Sequence, residues 1–130
     1  IRSVMEGVAF NLALILDTIR KDAQVDTLTL IGGGARSRVW QQILADVYQK
    51  KIRVPKLLDE ATSMGAAITG GVGVGLFSDF SATDRFVSIA RDCLPNAANA
   101  PKYEQMQNVF NEAYDSLCGV YEKLKALREV

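Results

Sequence analysis

The residues best suited to binding chemistry in this sequence form a glycine-rich turn. Residues 31–37 read IGGGARS, and Ile31 is also the last residue of the β-like run TLTLI at 27–31. The turn leads directly into a helical pattern. Glycines 32–34 remove side chains where a strand gives way to a helix, so a phosphate or a flat ligand can lie against bare backbone. The pattern therefore predicts a nucleotide contact in a phosphotransferase. A tight connection that binds no ligand is the alternative.

Two common nucleotide-binding fingerprints do not fit this turn. The Rossmann pattern Gly-x-Gly-x-x-Gly finds its first two glycines at Gly32 and Gly34, but Ser37 stands where the third is required. The P-loop pattern, which ends in Gly-Lys-Ser or Gly-Lys-Thr, is absent from the sequence. The glycine turn alone is therefore a weak signal of nucleotide binding. The segments around it are needed to distinguish a binding loop from a purely structural turn.

The composition excludes several other kinds of site. The sequence has no histidine, which removes the commonest general base, most zinc sites and a Ser-His-Asp triad. Its 15 basic and 15 acidic residues cancel, so nothing indicates binding to nucleic acid or to an anionic membrane. No apolar run is long enough to cross a bilayer, and no signal peptide opens the chain. Cys93 and Cys118 lack metal-type spacing and are predicted to be reduced, buried thiols.

The order of elements places the turn in an α/β fold. Strands are predicted at 27–31 and 52–54, with Pro55 ending the second, while 87–94 is ambiguous and 79–86 holds a brief turn or short helix. Helices are predicted at 3–21, 37–49, 60–76 and 102–128. Two strands make a poor sheet. Further strands are therefore expected upstream of Ile1 or from a partner chain.

Several single residues have two interpretations. Ser37 is predicted to cap the following helix, and Trp40 belongs to the core or stacks on a base. Arg36 reaches a phosphate or lies in solvent. Asp46 and Glu60 form an acid–base pair in one interpretation. In the favoured interpretation, Asp46 makes local contacts and Glu60 opens a helix. The first and last helices are each expected to bury one apolar stripe, formed by Val4, Val8, Leu12, Ile15, Leu16 and Ile19 and by Met106, Val109, Phe110, Ala113, Leu117, Val120, Tyr121, Leu124 and Leu127.

The segment GGGARSRVWQQILADV at 32–47 closely resembles the nucleotide-binding segment of the FGGY carbohydrate kinases. The similarity is strongest to the xylulose and gluconate kinase branch. Three further segments resemble the family in the same order, namely RSVMEGVAF at 2–10, EATSMGAA at 60–67 and the proline-led entry to the last helix at 95–103. The resemblance covers nearly the whole chain.

The resemblance implies a partial actin-like, ribonuclease H-like ATPase domain. Residues 1–130 would be the C-terminal portion of the second, nucleotide-binding domain of a cytoplasmic kinase, with the first strands of that domain missing from this chain. The partners implied are ATP or ADP and a sugar, most closely D-xylulose, with Mg²⁺ as cofactor. No nucleic acid and no membrane are expected, and a homo-oligomer is left open.

The resemblance also assigns site residues. Gly32, Gly33, Gly34 and Ala35 would supply bare backbone at the adenine and ribose end of the nucleotide, and Arg38 would lie near the base. No residue is assigned to catalysis or to a metal, because the catalytic aspartate of relatives lies in the first domain and the Mg²⁺ ligands are not expected in this chain. The chain alone is therefore expected to be inactive. The alternative function is a non-catalytic α/β interaction module whose glycine turn is purely structural and whose sheet edge pairs with another chain.

Overall fold

A computed structural model describes residues 1–19, 21 and 24–127 of the chain. Helices and strands alternate through most of it, as the sequence predicts. Their bounds are α1 Arg2–Ile19, β1 Thr27–Thr29, α2 Arg38–Tyr48, β2 Lys51–Pro55, α3 Ala61–Gly73, α4 Thr83–Phe86, β3 Ile89–Cys93 and α5 Ala100–Ala126. Short 3₁₀ turns occupy Gly33–Arg36, Phe80–Ala82 and Ala97–Asn99. Arg20 and Arg128, near the predicted ends of the first and last helices, lie outside the described residues.

The sheet has β2 at its centre, with β1 parallel to it and β3 antiparallel to it. The third strand, β3, arises from the segment that is ambiguous in the sequence, so the expectation of two strands was incomplete. β2 ends at Pro55, as predicted, and its pairing with β3 changes register between Val54 and Pro55, where the proline lacks an N–H donor.

The core lies between the sheet and α2. Ile52 and Val54 alternate with the exposed Arg53, which places both apolar side chains on the face that α2 covers. The buried cluster consists of Ala9, Ala35, Ile43, Leu44, Ala45, Ile52 and Val54. The opposite face of the sheet borders a cavity of about 830 Å³, across which it faces Met64 and Ile68 of α3.

The prediction that α1 buries this apolar stripe is wrong for most of its residues. Val4, Val8, Leu12, Ile15 and Ile19 are exposed, while the buried residues are Ala9, Phe10, Ala13 and Leu16. The small alanines allow α1 and α2 to approach closely, so the neighbouring stripe of larger residues turns away from the core.

The predicted core stripe of α5 is also wrong for most of the helix. Of the residues described in α5, Tyr103 alone is buried, and Met106 and Phe110 are half-buried. The remaining apolar residues are exposed, namely Val109, Ala113, Leu117, Val120, Tyr121, Leu124 and Leu127. The described contacts of α5 with α1 come from its first half, at Tyr103, Gln107 and Phe110. No helix in the described part of the chain is long and apolar enough to cross a bilayer.

Candidate functional site

The glycine turn begins where β1 stops pairing with β2. The Leu30 N–H still donates to the Arg53 carbonyl at 2.8 Å, and Gly32 then adopts φ 81° and ψ −177°, a conformation that side-chain-bearing residues rarely reach. The 3₁₀ turn that follows is closed by a hydrogen bond from Ala35 N to the Gly32 carbonyl at 3.0 Å. The backbone path therefore requires glycine at position 32.

Two side chains of the following segment hold the turn in place. Ser37 caps α2, as predicted, because its Oγ accepts a hydrogen bond from Trp40 N at 3.3 Å. Gln41, which is fully buried, donates from Nε2 to the Ala35 carbonyl at 2.6 Å. Gln41 was not among the predicted residues, although a polar residue beside the apolar positions of α2 is a signal for a buried hydrogen bond.

The structure brings the predicted glycines together on an exposed surface. Gly32, Gly33 and Gly34 are all exposed, and nothing lies within 4 Å of a Cβ atom built on Gly32 or Gly33. Ala35 is fully buried in the core cluster, so it anchors the turn and contributes no exposed surface. Arg38 is exposed at the first position of α2.

Trp40 packs between the turn and the core. It is half-buried against the core cluster, which favours the core interpretation over an exposed stacking platform. A Cβ atom on Gly34 would lie 3.1 Å from Trp40 Cδ1, closer than most side-chain contacts allow. Gly34 therefore permits the close approach of the indole to the turn.

Arg36 is exposed, and its side chain reaches the segment after β2. Its Nη2 donates to the carboxylate of Asp59 at 2.6 Å, and this hydrogen bond raises the pKa of Arg36 above its ordinary value. The two interpretations of Arg36 from the sequence were a phosphate contact and solvation, and neither included Asp59 as its partner. The pair joins the turn after β1 to the segment that precedes α3.

Asp46 and Glu60 do not form an acid–base pair. The fully buried Asp46 carboxylate accepts hydrogen bonds from Asn96 N at 2.7 Å, Asn99 Nδ2 at 2.8 Å and Gln42 Nε2 at 2.7 Å. The prediction of local contacts was therefore incomplete, because two of these partners lie 50 and 53 residues away. Glu60 directly precedes α3, as predicted, without a side-chain capping bond.

The structure also locates the groups that bear on metal and thiol chemistry. Within residues 1–19, 21 and 24–127, no three histidine, cysteine, aspartate or glutamate side chains cluster as a metal site would require. Both cysteines are free thiols, but Cys118 is exposed and Cys93 only half-buried, so the prediction of buried thiols was wrong for Cys118.

Residues 1–74 match the model of the FGGY family of carbohydrate kinases, C-terminal domain. Over 124 residues the chain is 34% identical to an autoinducer-2 kinase from Enterobacter sp. (strain 638), covering 93% of this chain and 23% of that protein. Over 115 residues it is 35% identical to a xylulose kinase from Staphylococcus epidermidis, covering 87% of this chain and 23% of that protein.

A solved structure has the same fold. The crystal structure of xylulose kinase from Lactobacillus acidophilus aligns with 93% of this chain and 25% of its own, at a TM-score of 0.81 and 23% sequence identity. The chain thus spans about a quarter of the length of the relatives it matches. It belongs to the FGGY family of carbohydrate kinases, matches the C-terminal domain of that family, and has its actin-like α/β fold.

Proposed function

We propose that this chain binds the adenosine part of ATP and forms one wall of the nucleotide cleft of a sugar kinase. The kinase would transfer the γ-phosphate of ATP to a sugar hydroxyl. The observation that carries the proposal is the exposed backbone of Gly32, Gly33 and Gly34, held over a buried Ala35. A planar base can approach such a surface more closely than one covered by side chains.

The anchors of the turn explain how it would act as a preformed surface. The Gln41 amide and the Ser37 cap fix the segment that follows the glycines, so little ordering would accompany binding. Arg38 would extend this wall, because a planar guanidinium stacks on an aromatic ring. Ala35 would support the surface from below.

The chemical step would use residues outside this chain. Phosphoryl transfer depends on positioning and on neutralising the phosphate charge, commonly with Mg²⁺, and the acidic groups described here do not cluster for a metal. We therefore expect no phosphoryl transfer by the 130 residues alone. Steady sugar-dependent ATP hydrolysis by the purified chain would contradict this expectation.

D-xylulose is the sugar that we propose as substrate, in a cytoplasmic kinase. The support is the similarity to xylulose kinases at 35% identity. The chain is also 34% identical to an autoinducer-2 kinase, so the substrate has to be identified by kinetic measurement. The expected result is the highest kcat/KM for D-xylulose when the full-length protein is assayed against a panel of sugars and polyols. A higher value for another acceptor would reject D-xylulose without rejecting the nucleotide site.

Calorimetric titration of the full-length protein with ADP tests the nucleotide site. Gly33→Val is the sharpest variant, because a Cβ atom at Gly33 meets nothing within 4 Å and so leaves the turn intact while covering its backbone. We expect Gly33→Val to weaken ADP binding by at least about tenfold, a loss of about 1.4 kcal/mol.

Two comparisons make this result specific. Gly34→Val should also weaken ADP binding, partly because its side chain would displace Trp40. Gly73→Ala changes an open position at the end of α3, outside the turn, and this variant should bind ADP as the wild type does. Binding that is indifferent to Gly33→Val would contradict the proposal and favour a purely structural turn.

A further inference from the structure

A smaller cavity, of about 290 Å³, lies between the first turns of α2 and strand β3. Arg38, Gln41 and Gln42 line it from α2, and Arg91, Asp92 and Cys93 line it from β3. Two arginines thus border one small space on a chain whose formal net charge is zero. Such a concentration of positive charge calls for a partner of opposite sign.

The position of Arg91 in the sheet is unusual for an arginine. Arg91 pairs with Val54 across the antiparallel β2–β3 ladder, so it shares the sheet face that α2 covers. Its Nε atom is buried, and no acceptor in the described part of the chain bonds to it. Buried N–H donors are nearly always paired in proteins, so this arginine carries a hydrogen-bonding capacity that the described part of the chain does not satisfy.

The neighbouring carboxylates do not supply the missing acceptor. Asp92 borders the cavity, but its oxygens lie 3.6 Å from Lys51 Nζ and 3.9 Å from Arg53 Nε. Asp46, one turn further along α2, already accepts three hydrogen bonds, including one from Gln42. Both acidic groups near the cavity are thus balanced by other partners.

The other donors around the cavity are also occupied. The Gln41 amide nitrogen bonds to the Ala35 carbonyl, and the Gln42 amide nitrogen bonds to Asp46 and to the Leu94 carbonyl at 3.1 Å. The guanidinium groups of Arg38 and Arg91 are therefore the groups left to bind a ligand. Planar guanidinium groups match the oxygen spacing of phosphate and carboxylate.

We propose that this cavity is an oxyanion site, in which Arg38 and Arg91 together bind a phosphate group. The proposal shares Arg38 with the proposed nucleotide wall, while Arg91 and the cavity beside β3 belong to the anion site alone. Free inorganic phosphate and the phosphate of a nucleotide present the same oxygens to it. It assigns a binding role to β3, the strand that is ambiguous in the sequence.

The test is the melting temperature of the full-length protein in increasing inorganic phosphate, compared with chloride at equal ionic strength. The wild type should show a saturable rise that chloride does not reproduce. Arg91→Ala should weaken apparent phosphate affinity by about tenfold, as expected for loss of a charge-assisted contact. Arg85→Ala removes an exposed arginine of α4 that does not line the cavity and should respond as the wild type does.

Arg38→Ala provides an independent variant, because this exposed side chain can be removed without disturbing the sheet even if Arg91→Ala fails to fold. Loss of the phosphate response in Arg38→Ala supports the site. A wild type without a saturable response, or a response that Arg38→Ala leaves intact, overturns it.

Calorimetric competition then distinguishes the two sources of the phosphate. If ADP displaces phosphate and adenosine does not, the site holds a nucleotide phosphate. If ADP and phosphate bind together, the site holds the free anion. Adenosine binding that persists in Arg91→Ala keeps the nucleotide proposal separate from this one.

Discussion

The Arg36 guanidinium donates to the Asp59 carboxylate at 2.6 Å and so joins the turn after β1 to the segment between β2 and α3. The side chains are 62% and 75% exposed, so their ion pair adds little to global stability. Both loops follow parallel strands and therefore leave the sheet at the same edge. We infer that the pair keeps the glycine turn in position relative to α3.

Loss of this ion pair is expected to change nucleotide affinity more than stability. Arg36→Ala should leave the melting temperature unchanged and weaken ADP binding by roughly two- to fivefold, a difference that shrinks at high salt. Asp59→Ala should have the same effect, and the double variant should be no worse than either single one. Calorimetry at two salt concentrations measures all three. Additive losses would show that the two residues act separately.

The first two glycines of the turn should respond differently to alanine. Gly32→Ala should destabilise the fold by about 1–3 kcal/mol, because Gly32 has φ 81°. Gly33→Ala should change the free energy of unfolding by much less, since its added Cβ meets nothing within 4 Å. Urea unfolding of the matched pair provides the measurement. Equal losses for the two variants would rule out backbone conformation as the reason for glycine at position 32.

The turn and its cap could be predicted from the sequence because they depend on near neighbours. The Ser37 hydroxyl bonds to an N–H three residues on, and the conformation of Gly32 is fixed within the same turn. Short sequence patterns can therefore predict such contacts.

Contacts between distant segments could not be predicted in the same way. Asp59 lies 23 residues from Arg36, and Asn99 lies 53 residues from Asp46, with no periodic pattern linking either pair. In α1 two adjacent stripes are apolar, and the choice between them depends on α2, because small residues such as Ala9 allow the closer approach.

Removal of the Asp46 carboxylate should strongly destabilise the fold. Asp46→Ala leaves the donors of Gln42, Asn96 and Asn99 without their buried acceptor, and we expect a loss of about 3 kcal/mol. Asp46→Asn keeps one acceptor oxygen and should reduce the free energy of unfolding by less than Asp46→Ala. Chemical denaturation monitored by circular dichroism measures the difference. A loss below about 1 kcal/mol in Asp46→Ala would mean that water replaces the carboxylate.

Glu6 connects α1 to α5 and should make stability depend on pH. Its carboxylate accepts hydrogen bonds from Arg2 at 2.9 Å and from the hydroxyl of the buried Tyr103 at 2.8 Å. Burial by itself raises the pKa of Glu6, but these two hydrogen bonds and the positive charges of Arg2 and Lys102 together hold the pKa below its ordinary value of 4.5. The charged form of Glu6 is therefore favoured in the folded state.

The sign of the pH effect follows from this lowered pKa. The stability contributed by Glu6 is fully present above pH 4.5 and is lost as the pH falls through the lower folded-state pKa. Glu6→Gln should thus be less stable than the wild type at pH 7, and the gap should narrow below pH 4.5 because the protonated wild type loses the same interactions. Denaturation curves of both proteins between pH 7 and pH 3 provide the measurement. A gap that stays constant across this range would mean that Glu6 acts through packing and not through its charge.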